Sequence, residues 1–385
     1  MCRFLVYKGT EPIQLSHLVT RPLHSIAVQV FDSRLRFVSD RPFNADGFGI
    51  GWYEAKDESQ LASLPAALTP IDGQLPGVES DLRKDTAMSR RRSLAEAEER
   101  ERPCVFKSIH PAWSNANLNR LAEKIRSPLV FAHVRASTMP GAPSEDNCHP
   151  WTFGKLMWMH NGSISDFTLI KRRLQANLSE ELFLHPAGYT DSEWAFALFL
   201  SKLRDPHAQH FSTMELRTAM LETLAHINAM YKEAIAGTDR KPSPHLMNFV
   251  VSDGENVIAT RYISSRTDEA SSLFFSSGTT FEEYADGGHY RMTKADKSLA
   301  RLLLSWCREN IIMIASEPLT FEQKDWMEVK TNTMVVITPK MNLLQVPIVD
   351  EYYVSPHEEH GRSSDFVLSQ GYGHGLAVNR NAIPV

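Results

Sequence analysis

The sequence predicts an α+β fold built in layers, with strands and helices grouped in blocks rather than strictly alternated. Strand-like runs dominate roughly the first 160 residues. Helical spacing follows from Asp166 to Lys232, and β-type runs return from Leu246 onward. The chain has 385 residues, enough for one large domain or two ordinary ones, and it shows no internal repeat.

Taken in order, Arg3 to Lys8 is apolar enough for a strand. Asp46-Gly47-Phe48-Gly49-Ile50-Gly51-Trp52-Tyr53 reads as a turn entering a strand, its glycines permitting close backbone approach. Residues 56–103 change character, with Pro65, Pro70, Pro76, the triplet Arg90-Arg91-Arg92 and a charged run from Glu96 to Arg102. They predict a long, partly disordered insertion at a hairpin tip, with Cys104 to Lys107 as the returning strand. Leu118, Leu121 and Ile125 share a helix face within Asn115 to Arg126. Leu129 to Arg135 and Leu156 to His160 read as buried strands, the second ended by Asn161-Gly162. Asp166 is placed to cap a helix through Gln175, and Asp191 to open another over Ser192 to Leu203. A further helix spans Ser212 to Lys232. Strands are expected at Asn248 to Ser252, Val257 to Ile263, Leu273 to Ser276, Ile311 to Ala315 and Met334 to Thr338. Residues 354–385 read as a loose polar tail in which Phe366 to Leu368 could dock.

The formal net charge is −5, with no basic stripe of the kind that binds nucleic acid. No apolar run approaches the ~20 residues of a membrane span, and Lys8, Glu11 and Gln14 interrupt any signal-peptide core. The four cysteines, Cys2, Cys104, Cys148 and Cys307, form neither a disulfide framework nor a zinc-ligand spacing. A reducing cytoplasm and no metal are therefore expected.

Cys2 stands directly behind Met1. Trimming of Met1 would place a thiol and a free α-amino group on one residue. An α-amine titrates near pH ~8, so it can take the thiol proton, directly or through a water, without a histidine base.

Several segments behind Cys2 share a pattern: Asp46-Gly47-Phe48-Gly49, His133-Val134-Arg135-Ala136-Ser137-Thr138, Asn147-Cys148-His149-Pro150, His160-Asn161-Gly162 and Thr190-Asp191-Ser192-Glu193. Each is weak alone, but their order and type together resemble the class II glutamine amidotransferases, which are N-terminal-nucleophile hydrolases. The resemblance implies a four-layer αββα sandwich over residues 2–350. It makes Cys2 the nucleophile that forms a thioester with a γ-glutamyl group. Asn161, through its side chain, and Gly162, through its N–H, would supply the oxyanion donors. Arg135 would grip the substrate carboxylate with its planar fork, Thr138 would help to hold it, and Asp191 would pair with the ammonium. Asn147 and His149 match a loop lining the glutamyl pocket. An ordinary structural salt bridge remains the alternative for Arg135 and Asp191, and a plain turn for Asn161-Gly162. His133, His149 and His160 are expected to be structural or to support the site rather than to transfer protons, since the amine supplies a base, and Cys104 and Cys307 to be inert. No cofactor is implied.

Beyond residue 240 no phosphosugar-, phosphoribosyl- or ATP-binding signature appears, so a stand-alone member is implied. Pro12 to Leu18, Phe31 to Leu35, Ala315 to Phe321 and Asp350 to Tyr353 resemble the fungal Dug-type branch of cytosolic glutathione degradation. That branch works with a metallopeptidase-like partner and releases glutamate and cysteinylglycine. Glutamine hydrolysis with ammonia transfer, an ergothioneine-type γ-glutamyl hydrolysis and a non-catalytic scaffold are the alternatives. Glu317 belongs to the family-like segment without an assigned role. Two stretches depart from the pattern. The insertion carries Arg90-Arg91-Arg92-Ser93, which looks like a basic-directed kinase site, suited to regulated partner docking. The apolar run Ser298 to Cys307 is either an extra helix or an unspliced segment.

Overall fold

The apolar run at the N-terminus forms β1 (Arg3–Gln14), the central strand of a seven-stranded antiparallel sheet. This computed structural model describes residues 2–29, 46–55, 99–135, 143–294, 310–355 and 361–371. Phe31 to Leu35, the insertion up to residue 98 with Arg90 to Ser93, Ala136 to Thr138, Ser298 to Cys307 and residues 372–385 lie outside the described residues.

In the first sheet, β1 lies between β4 (Arg126–Val134) and β12 (Ile311–Ala315). Beyond β4 come β2 (Phe48–Tyr53) and β3 (Cys104–Ser108). Beyond β12 come β9 (Phe274–Gly278) and β13 (Met327–Glu328). The second sheet runs β15 (Leu343–Pro347), β14 (Thr333–Ile337), β8 (Val257–Arg261), β7 (Leu246–Ser252), β6 (Leu156–Ser163) and β5 (Trp151–Phe153). A separate hairpin joins β10 (Thr280–Ala285) to β11 (His289–Thr293).

Side-chain alternation sets the layers. Phe4, Val6, Leu129 and Phe131 from the first sheet meet Met157, Met159, Val250, Val335 and Ile337 from the second in one apolar cluster. The opposite faces carry Leu5, Tyr7, Val130 and Ala132 on one side and Leu156, Trp158, Phe249 and Val336 on the other. Because both faces of each central strand are buried, the strands read as nearly continuous apolar runs. Helices α1 (Ser16–Val19) and α2 (Ala116–Ala122) cover the first sheet. The second is covered by α3 (Phe167–Ala176), α4 (Glu180–Leu184), α5 (Asp191–Leu200) and α6 (Thr213–Ile235). This is the α+β, four-layer αββα arrangement expected from the sequence. Every residue from Ser192 to Leu200 is buried, as its apolar run from Trp194 onward requires when the helix is enclosed on every side.

Two local expectations are corrected. Asp166 precedes α3 in the left-handed region (φ 49°) and does not cap it; its carboxylate instead accepts from the Tyr231 hydroxyl at 3.1 Å. The N-cap of α5 is Thr190, whose hydroxyl accepts from Glu193 N, so Asp191 is the first helical residue. Within the polar tail, α7 (Asp365–Ser369) docks Val367 against Leu246, Ile263 and Ala270, with Phe366 and Leu368 packed at its sides. Arg362 ties the same segment to the carbonyls of Ser265 and Asp268.

Gly49 permits the closest approach near the site. A Cβ there would lie 2.0 Å from the His149 carbonyl oxygen, so the loop before β5 rests directly on the backbone of β2. Gly49→Ala is expected to lower stability by about 1–3 kcal/mol through forced displacement of that loop. Chemical denaturation of the two proteins side by side measures the loss.

Candidate active site

Cys2 immediately precedes the first β1 pairing, Arg3 opposite Val134. Val134 also faces Phe48 on its other side, and Arg135 N donates to Gly47 O at 2.8 Å. The sheet ladder therefore sets Cys2, Arg135 and Gly47 across three adjacent strands at one end of the first sheet. Cys2 is partly exposed, whereas Arg135 is buried.

The second sheet contributes Asn161 and Gly162, which lie within β6 opposite Asn248 and Met247. They are the tail of a paired strand, which removes the plain-turn alternative. The Gly162 position has no room for a side chain, since a Cβ would sit 2.0 Å from Leu246 O. One hydroxyl joins the two sheets: Ser316 Oγ accepts from Phe4 N at 3.0 Å and from Asn161 Nδ2 at 2.8 Å. The amide of Asn161 has a second hydrogen, and its Oδ1 is buried.

Asp191 reaches the same end from α5. Its Oδ2 accepts from Ile164 N at 2.7 Å, just past β6, and its Oδ1 accepts from Ser192 N at 2.9 Å. The helix N-terminus supplies positive potential where this carboxylate stands.

Asn147 and His149 sit in the loop that rests on Gly49. Asn147 Oδ1 accepts from Tyr189 N at 3.1 Å, which ties this loop to the approach of α5. His149 Nδ1 lies 2.6 Å from His133 Nε2, and His133 Nε2 lies 3.2 Å from the His160 carbonyl oxygen. His160 Nε2 donates to Leu246 O at 2.9 Å, so its Nδ1 accepts from the Ser192 hydroxyl at 2.8 Å. Burial pushes the His133 and His149 imidazoles well below their ordinary range, and it lowers His160 against the opposing pull of Asp191. The three rings are neutral struts under the site. Cys148 is buried beside Ser108 O, and burial pushes its thiol up to about 11, so it stays protonated at neutral pH. Thr138 lies outside the described residues.

The structure thus brings Cys2, Arg135, Asn161, Gly162 and Asp191 to one end of the sandwich, with Asn147 and His149 in the adjoining loop. The supports Ser316, Ser192 and Glu193 stand within the motif segments quoted above, which assign them no individual role. The signal for Glu193 was the Thr190-x-x-Glu193 spacing of a helix start, but Glu193 turns outward from its helix and accepts from Ala187 N at 3.0 Å and Gly188 N at 2.8 Å. Burial raises its carboxyl to about 7. A raised carboxyl contributes stability that is whole below the ordinary value of 4.5 and is lost as pH rises through about 7. Relative to Glu193→Gln, the parent should therefore lose about 2 kcal/mol between pH 5 and 7.5, measured by denaturation at each pH.

Among the described residues, no group of three or more His, Cys, Asp or Glu side chains is arranged to hold a metal ion, and no helix is long and apolar enough to cross a membrane.

Residues 97–346 match the family described as Glutamine amidotransferases class-II. Over 395 aligned positions, all of this chain and 96% of the relative, the sequence is 43% identical to the Saccharomyces cerevisiae protein described as probable glutamine amidotransferase DUG3. The chain belongs to the class II glutamine amidotransferase family. The family match begins after Cys2 but spans the other site residues, whereas the yeast match includes Cys2 as well. Among solved structures, a class-II glutamine aminotransferase domain protein from Silicibacter pomeroyi superposes with a TM-score of 0.49 at 18% identity, over 91% of this chain and 100% of that one. Glutamine phosphoribosylpyrophosphate amidotransferase from B. subtilis gives 0.46 at 13% identity, over 90% of this chain and 49% of that one. The chain has an αββα sandwich, and the central strand of its first sheet begins directly after Cys2.

Proposed function

We propose that this chain is a γ-glutamyl amidohydrolase that cleaves glutathione in the cytosol, with Cys2 as the N-terminal nucleophile and a metallopeptidase-like protein as partner. The observation that carries the reading is the meeting of the Cys2 strand and the Asn161-Gly162 strand through Ser316, with Arg135 and Asp191 at the same end. The name of the yeast relative supports the amidotransferase chemistry.

In this scheme Met1 is removed and the Cys2 α-amine takes the thiol proton. The sulfur attacks the γ-carbonyl carbon, and the developing oxyanion is met by the second Asn161 Nδ2 hydrogen and the Gly162 N–H. Collapse breaks the C–N bond, and the ammonium of Cys2 returns its proton to the departing amine. A water, deprotonated by the same amine, then hydrolyses the thioester to glutamate and restores the thiol. Arg135, with Thr138, holds the α-carboxylate of the substrate. Asp191 pairs with its α-ammonium, and Asn147 and His149 line the pocket.

These groups read only the γ-glutamyl half, which glutamine and glutathione share. The family name favours glutamine as the second reading, with ammonia as the leaving group. The test is glutamate release by the trimmed protein from each compound, alone and with its candidate peptidase partner. Release from glutathione that requires the partner is the expected result. Release from glutamine alone would make the protein an ammonia donor. Release from neither would return the question to an ergothioneine-type substrate or a scaffold.

A further inference from the structure

Glu317 is 1% exposed and stands two residues beyond β12, the strand beside β1. Its Oε2 accepts from Arg3 Nε at 3.1 Å, and its Oε1 faces His24 Nε2 at 3.3 Å. The same Arg3 guanidinium donates from its second arm to the carbonyl oxygen of Cys2 at 3.0 Å. A buried ion pair adds little net stability over apolar side chains that fill the same space, whereas its planar fork fixes direction. Here the fork ends on the backbone of Cys2.

The neighbouring residue acts on the other half of the site. Ser316 Oγ takes one hydrogen from the strand that carries Cys2 and one from the Asn161 amide. The two-residue segment is itself pinned: Ser316 N donates to Phe4 O at 3.0 Å, and Ser272 Oγ donates to Ser316 O at 2.8 Å. Gln29 Nε2 donates to Glu317 O at 3.3 Å, and His24 Nδ1 donates to Pro318 O at 2.6 Å.

We propose that Ser316 and Glu317 are positioning residues that set the nucleophile and the oxyanion donor against each other, Glu317 acting through Arg3 on Cys2 and Ser316 directly on Asn161. This rests on the assignment of Cys2 and Asn161 given above. A fixed ruler of this kind matters because a misplacement of about 1 Å can cost ~10²-fold in rate.

The first arm of the test needs no substrate. Iodoacetamide alkylation of Cys2 is followed by mass spectrometry across pH in the trimmed parent and in Glu317→Gln, with the exposed Cys104, at the far end of β3, as internal reference. Removing the anion makes the potential beside Cys2 more positive, so half-maximal alkylation of Cys2 should move to lower pH while that of Cys104 stays in place. A folded Glu317→Gln protein with the parental Cys2 profile overturns the role of Glu317. Where Glu317→Gln does not fold, Glu317→Asp is read in the same assay; slowed alkylation at Cys2 supports the role and a parental rate overturns it.

The second arm measures glutamate release. Ser316→Ala should lower kcat about 10- to 100-fold with KM nearly unchanged, and Ser316→Thr, which keeps the hydroxyl, should recover most of it. A parental kcat in Ser316→Ala overturns the role of Ser316. If the trimmed parent releases no glutamate from any γ-glutamyl compound, the functional reading fails, and the alkylation profile still decides whether Glu317 positions Cys2.

Discussion

Cys2→Ala should reduce glutamate release by about four to six orders of magnitude, to the solution background, because a group that forms the covalent intermediate has no substitute in the site. The fold should survive, since Cys2 precedes the β1 ladder rather than forming part of it. Equal melting temperatures for parent and variant separate lost chemistry from lost structure. A companion protein keeps Cys2 but carries an uncleaved N-terminal extension. There the thiol is intact and the base has become an amide, so activity should fall by about 10²–10⁴ and return when a protease cuts the extension immediately before Cys2. Full activity with the extension in place would remove the α-amine from the mechanism and require another base, since burial lowers the basicity of His133 and His149.

Asn161→Ala should cost about 10²–10³ in kcat, the usual loss for one oxyanion donor. KM for the γ-glutamyl compound should change little, because the donor acts on charge that develops only in the transition state. Ser316 Oγ keeps its bond to Phe4 N in this variant, so the strand order is retained and the melting temperature should stay near the parent's. Arg135→Ala is the contrasting case: it should raise KM far more than it lowers kcat, since Arg135 is assigned to a group that carries its charge throughout the reaction. Steady-state kinetics on the two variants separates the roles. An Asn161→Ala enzyme with parental kcat would move the oxyanion donor elsewhere.

The sequence carried the central strands well because both faces of each are buried, and runs such as Leu129 to Val134 and Ile311 to Ala315 leave little else to choose. It carried the helix interiors through their one-sided apolar spacing, such as Leu216, Met220, Leu224 and Ile227 of α6. What it missed is local or marginal. The β10–β11 hairpin has five exposed residues in β10, and β15 is a largely exposed edge, so neither shows a clear two-residue period. Asp166 had the chemistry of a cap but a left-handed backbone and another partner in Tyr231. In the site, motif residues such as Asn161 and Asp191 could be read one by one. Their supports could not: Ser316 gains its place only when β12 lies beside β1 and β6 comes opposite, a pairing between residues far apart in the chain.

The contact between Arg3 and Glu317 closes a span of 314 residues. A ribosome adding ~5–20 residues per second needs about 15–60 s to cross that span. During this time the N-terminal segment has emerged, but β12 and the Ser316-Glu317 segment do not yet exist. The segment that carries Cys2 thus waits through the synthesis of the next 314 residues. A thiol that is exposed to the cell from the first seconds becomes a reagent with a partner set only at the end, and an interrupted chain carries the cysteine without the machinery that directs it.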